Sequence, residues 1–361
     1  MIRRVEQENW LLIMQVEHAH IAGDLASAWS RFKSVSSLPM KRHLLPAIRS
    51  HDEGWSTWDE RPSLHPKLNA PRSFTEMPMA VSTLLWRESI LFCSGLRKEN
   101  TAESIRQFQR FLTRSGRRLT PQRAFVIEEI FAMIEPFDFE ILAQKLGEHS
   151  QGQTLGKPTL LRLLGLLEAA EMLKKIKRSH GQTLYHPPGV ERLTTPFGGM
   201  WVSQFFCNLA KRARDNREDE NDLQAIETFL DEQQEFQQLL LKMIQENQTE
   251  TLKQFDREGI ADWRKEGLQW LQFFDRFSLW LCCQQESKTF HIETPDGTKL
   301  HLTPLPSHEI AIDPFPFEGD KLHLSTSAKS IPKRKYLSEE ELHNAMTSAS
   351  VEELHWSLVK W

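Results

Sequence analysis

The run Trp10-Leu11-Leu12-Ile13-Met14-Gln15-Val16-Glu17-His18-Ala19-His20-Ile21 carries apolar residues at Leu12, Ile13, Val16 and Ile21, continued by Leu25 and Trp29. That spacing predicts a long amphipathic helix over residues 5–32. A Ser/Pro break at Ser34–Pro39 ends it. Leu44–Arg49 then starts a short helix that runs into His51-Asp52-Glu53-Gly54-Trp55-Ser56-Thr57-Trp58-Asp59. Pro62, Pro66, Pro71 and Pro78 make the next stretch a structured loop, and Ser82–Cys93 is helical again.

Beyond residue 190 the pattern stays helical for nearly a hundred residues. Phe197–Arg214 is an apolar helix, Asp222–Glu246 is Gln/Glu-rich, and Lys265–Gln284 is rich in Trp and Phe. Lys288–Glu293 and Lys299–Thr303 flank Asp296-Gly297, a hairpin turn, with short strands expected at Ala311 and Leu322–Ser325. Ser338-Glu339-Glu340-Glu341 is a capping box that opens a final helix. The expected fold is therefore mainly α, with a small C-terminal β element.

Composition narrows the class. The 361 residues are 39% apolar and 26% charged, which suits a soluble globular protein of two or three domains. No apolar run approaches the roughly 20 residues of a membrane span. The start, Met1-Ile2-Arg3-Arg4-Val5-Glu6, has no secretory h-region, and the four cysteines form no C-x-x-C pair. A reduced cytoplasm is the expectation. The net charge of −4 conceals an asymmetry: residues 97–180 hold 15 Lys and Arg against 10 Asp and Glu, leaving −9 for the rest. The same middle stretch contains none of the 11 Trp.

Within it, Thr101–Ser115 reads as a helix, and Thr120 N-caps another that starts at Pro121. Asp138–Leu146 and Pro158–Ala170 follow, and Lys174–Arg178 with Thr183–His186 form a hairpin. Helices closed by a hairpin are a winged-helix pattern. The expected organisation is an inserted winged-helix domain at 97–190, splitting a host of residues 1–96 and 191–361.

Two motifs give the insert a relative. Ser115-Gly116-Arg117-Arg118-Leu119-Thr120-Pro121-Gln122-Arg123 and Pro158-Thr159-Leu160-Leu161-Arg162-Leu163-Leu164-Gly165-Leu166-Leu167-Glu168 resemble the DNA-binding domain of ferric-uptake-regulator repressors. Leu161 replaces the usual aromatic, and the metal-sensing domain of those repressors has no counterpart here. On the physical reading, Lys157, Thr159 and Arg162 can enter the major groove of double-stranded DNA. Lys174, Lys175, Lys177, Arg178, Arg117, Arg118 and Arg123 can reach backbone phosphates. The alternative is a protein-contact module whose basic residues are solvated.

The flanks resemble a bacterial family without an assigned activity, distantly similar to HD-type metal-dependent phosphohydrolases. The resemblance rests on Gln15-Val16-Glu17-His18-Ala19, His51-Asp52-Glu53-Gly54-Trp55, the segments opening at Ser203 and Leu268, Asp313–Phe317 and Tyr336–Leu342. It implies an HD-like helical domain whose metal ligands are His18, His51, Asp52 and Asp275. Mixed imidazole and carboxylate ligands suit a divalent Fe, Mn, Zn or Mg ion with open positions for water and a phosphate oxygen. Glu53 and Asp59 are candidate catalytic acids or bases beside it. Each residue also has a structural reading: His18 as a core histidine, His51 as a loop cap, Asp275 as a buried partner of Arg276.

One departure bears on activity. The resembled family commonly has His two residues after the Ser at position 203, where this chain has Phe205. No nucleotide-binding loop or nucleophile elbow is present. Two functions stand side by side: a phosphate-ester hydrolase carrying a nucleic-acid-binding insert, or a non-enzymatic DNA-binding regulator whose HD-like pocket senses a ligand or metal.

Overall fold

The computed structural model describes residues 1–30, 38–95, 108–113, 116–132, 137–149, 156–170, 172–177, 183–186, 195–246, 257–283, 289–306 and 309–361. The chain divides into two compact units, one of residues 1–96 with 193–361 and one of residues 97–192. In chain order, strands β1 (Ile2–Glu6) and β2 (Asn9–Ile13) precede helices α1 (Gln15–Ala28) and α2 (Leu38–Ser50). A 3-10 turn at Glu53–Trp55, the short α3 (Ser56–Glu60) and α4 (Met79–Cys93) follow. Next come α5 (Pro121–Ala132), α6 (Phe139–His149), α7 (Lys157–Ala169) and the strands β3 (Lys174–Lys177) and β4 (Thr183–His186). Then α8 (Pro196–Arg214), α9 (Glu220–Glu246) and α10 (Arg257–Cys283) lead to β5 (Phe290–Glu293), β6 (Lys299–Pro304) and β7 (Glu309–Asp313). The chain closes with β8 (Lys321–Pro332), α11 (Glu339–Thr347) and β9 (Ser350–Lys360).

The larger unit corrects the mainly α reading with its small C-terminal β element. Its seven-stranded mixed sheet runs β1-β2-β8-β9-β7-β6-β5, so the N-terminal hairpin pairs with strands from the far end of the chain. All neighbours are antiparallel except β7 and β9. The single helix expected over residues 5–32 is two strands and a helix, because Trp10–Ile13 alternates between two cores. Leu11 and Ile13 face the helices, whereas Leu12 joins Met1, Ile331, Tyr336, Leu342 and Met346 under α11. A strand covered on both faces is apolar throughout and loses the alternation that would identify it. β9 is also absent from the sequence reading; its buried Trp356 and Leu358 recur with period two.

The helices α1, α2, α4, α8, α9 and α10 pack together, with α1 and α10 lying against the sheet. α1 is buried almost all round, including Gln15, Glu17 and His18. The aromatic stripe of α10 is core, with Trp270, Phe273, Phe274 and Phe277 each at most 4% exposed.

Among its described residues, the smaller unit shows three helices followed by the antiparallel pair β3–β4, with residues 108–113 helical before them. Leu160, Leu163, Leu164 and Leu167 of α7 pack with Ile127, Ile130, Phe137 and Leu142 into its own core. Most of the expected Ser34–Pro39 break and of the Thr101–Ser115 helix, and all of Arg178, lie outside the described residues. Among the described residues, no helix is long and apolar enough to cross a membrane.

Candidate metal centre

His18 projects from the buried α1. Ser278 Oγ donates to the Asp275 carbonyl at 3.0 Å and lies 3.1 Å from His18 Nδ1. With its proton so engaged, the hydroxyl is left to accept, which places a proton on Nδ1 and turns Nε2 to Asp52 Oδ2 at 2.8 Å. His51 is held the same way. Its Nδ1 donates to the Ile48 carbonyl at 2.7 Å, and its Nε2 faces Asp275 Oδ1 at 3.2 Å. The cross pairs close the figure, at 3.9 Å from His18 to Asp275 and 3.8 Å from His51 to Asp52.

These separations fit a shared cation. Ligand atoms about 2.1 Å from one ion stand about 3 Å apart at right angles and about 4 Å apart when opposed. One ligand atom from each of His18, His51 and Asp275 lies within 4.8 Å of the others, and Asp52 borders that trio, 2.8 Å from His18 Nε2. Neutral acceptors hold both Nδ1 atoms, which leaves each Nε2 turned to the carboxylates and able to coordinate. Burial opposes protonation of His51, but Asp52 and Asp275 outweigh it and push its pKa up to about 9. Burial likewise opposes ionisation of Asp52, yet His51 and His18 hold its carboxyl below the usual range. Two buried carboxylates therefore demand positive charge between them, as protons on imidazole or as a metal ion.

The turn that presents His51 and Asp52 depends on Gly54. A Cβ there would lie 2.1 Å from the Leu85 carbonyl oxygen and 2.6 Å from the Ser89 amide, both backbone of α4. The Gly54 amide donates to Ser89 Oγ at 2.9 Å, locking the turn onto that helix. Phe205, where the resemblance calls for His, stands edge-on to the His51 ring at 5.6 Å and gives the site an apolar wall. The way in is narrow: the Asp275 side chain is 12% exposed, Asp52 6%, and both imidazoles are fully buried. Arg276 is exposed, and the contacts of the Asp275 carboxylate are with histidines.

The two other carboxylates named from the sequence are placed differently. Glu53 is buried in the same turn, and it has a polar partner. Asp59 is buried too, with one oxygen 2.6 Å from the Met1 amine and the other accepting from the Gln15 amide. Ser278, the Ile48 carbonyl and the Gly54–Ser89 contact were not singled out in the sequence. Only Ser278 left a trace there, as a polar residue three positions after Asp275 in an apolar helix.

In the smaller unit, Arg117, Arg118, Lys157, Arg162 and Lys175 are exposed, while Arg123 and Thr159 are partly buried. Lys157 sits over the Phe139 ring at 5.0 Å, and Arg123 Nη1 donates to the Arg118 carbonyl at 3.4 Å. Lys174 and Lys177 lie on β3.

A family model described as "Protein of unknown function (DUF3891)" matches residues 1–93 and 189–333. The match includes all four clustered His and Asp residues and passes over residues 94–188, nearly the whole smaller unit. No curated protein and no solved structure matches the chain. With well over half of its residues matched by that model, the chain belongs to the DUF3891 family.

Proposed function

We propose that the larger unit binds one divalent cation through His18, His51, Asp52 and Asp275 and uses it to hydrolyse a phosphate ester. The observation that carries this is the convergence of two imidazole Nε2 atoms and two carboxylates, drawn from three separated parts of the chain, at 2.8–3.9 Å. A bound divalent ion lowers the pKa of its water and polarises a phosphoryl oxygen. The protein's own part is to hold the tautomers, through Ser278 and Ile48, and to restrict water around the ion. Of the two candidate acid–base carboxylates, Glu53 follows Asp52 in the same turn, whereas Asp59 has both oxygens engaged by Met1 and Gln15.

The smaller unit, on this reading, is a winged helix that brings the larger one to double-stranded DNA. Exposed Lys157 and Arg162 at the start of α7 and exposed Lys175 on β3 favour it.

A second reading keeps the metal and drops the chemistry. Phe205 puts a ring beside His51 that can neither ligate nor transfer a proton, which favours a DNA-binding regulator that senses a metal or ligand. Metal analysis of the purified protein and a general phosphomonoesterase and phosphodiesterase assay separate the two. Metal bound by the wild type and lost from a His51→Ala, Asp52→Ala variant, with turnover, supports the hydrolase. Metal without turnover supports the sensor, and no metal in either protein sinks the metal site and with it the hydrolase.

A further inference from the structure

Away from the His/Asp cluster, α8, α9 and α10 enclose a cleft of about 560 Å³, within the range of small-molecule sites. Its lining includes Lys211, Arg264 and Lys265 as cations and Asp231 as a carboxylate, a surplus of two positive charges. Among the described residues, none of the three cations forms an ion pair. Arg264 is partly buried, and with the Gln204 amide turned so that its oxygen faces the guanidinium, Arg264 Nε donates to that oxygen at 3.1 Å and Nη2 donates to it as well. Burial pulls the Arg264 pKa down, and no carboxylate offsets it. A half-desolvated guanidinium without an ion-pair partner is costly unless an anion joins it. The opposite wall is fixed: Gln237 donates to Ser203 Oγ at 2.8 Å, and Ser203 donates to Gln233 at 2.9 Å.

We propose that this cleft binds a small phosphorylated anion of the diphosphate type, met by the Arg264 N–H groups not given to Gln204, with Lys211 and Lys265 supplying further charge. It is distinct from the metal cluster. Arg264 and Asp275 share α10 but stand 11 residues apart, about 16 Å along the helix axis.

The probe is inorganic pyrophosphate, titrated by calorimetry into the full-length protein at low and moderate salt. One saturable site that weakens with salt is expected. Arg264→Gln should lower its affinity at least tenfold and Lys211→Gln several-fold. His51→Ala with Asp52→Ala should leave it unchanged. Absence of binding overturns the proposal, as does binding indifferent to both cation variants. Loss of binding in the His51/Asp52 variant alone also overturns it, by moving the anion to the metal cluster. Should Arg264→Gln not fold, Lys211→Gln and Lys265→Gln on the cleft's rim carry the same test.

Discussion

Charge is handled in opposite ways by the two units. In the larger one, two carboxylates and two imidazoles are folded out of water against one another, with His18 and His51 fully buried. In the smaller one, Arg117, Arg118, Arg162 and Lys175 stand in solvent around an apolar core that does not need them. Buried ionisable groups are expensive, so a constellation of four is a strong constraint on folding. Exposed cations cost little to keep and little to lose. The first arrangement points to a function because it is hard to explain as structure. The second needs a partner before its charges mean anything.

The sharpest way to break the contrast is to remove one buried charge. Asp275→Ala leaves His51 facing a single carboxylate, so we expect a loss of about 3–5 kcal/mol in urea unfolding together with loss of bound metal. A variant that kept both its midpoint and its metal would show that the cluster is not a coupled unit. Gly54→Ala attacks the same site through the backbone. Its Cβ would meet the Leu85 carbonyl oxygen at 2.1 Å, a clash expected to cost about 1–3 kcal/mol or more and visible as a lower Tm with weakened metal binding.

Proton linkage gives a subtler reading. The folded pKa of His51 is raised to about 9 from 6.5. In metal-free protein its stabilisation is therefore complete below about 6.5 and fades as pH rises through about 9. Asp52, held low, contributes above its ordinary value of 3.8 and is lost as pH falls below it. Metal must displace the His51 proton, so apparent affinity should rise about tenfold per pH unit between pH 7 and the His51 pKa. Competition with a fluorescent chelator across that range measures the slope, and a flat profile would leave His51 outside the coordination shell.

The smallest expected effect on stability belongs to the smaller unit. Arg162→Ala should change unfolding free energy by no more than about 0.5 kcal/mol. It should weaken duplex DNA binding and reduce the salt slope by about one if Arg162 meets a phosphate. An unchanged DNA affinity would remove Arg162 from the interface and turn attention to protein partners.

Much of the candidate site was legible early. His51-Asp52 next to Glu-Gly-Trp, a histidine on an apolar helix and an aspartate amid Trp and Phe are chemical anomalies, and anomalies survive without coordinates. The fold was less legible, and the error was local. Trp10–Ile13 is apolar at every position because α11 covers the sheet face that would otherwise meet water. β9 followed a correctly anticipated cap at Ser338, yet it pairs with β8 and β7, partners fixed by topology rather than by its own residues.

The sequence by itself determined which residues carry unusual chemistry, where the charge and Trp content change along the chain, and where most of the helices lie. These are properties of side chains and of short-range periodicity. Only the tertiary structure decided that the N-terminal hairpin belongs to a sheet completed some 300 residues later, and that Ser278 and Ile48 set the tautomers of the two histidines. Strand pairing and second-layer hydrogen bonds join residues distant in sequence, and nothing in the local pattern of either partner names the other.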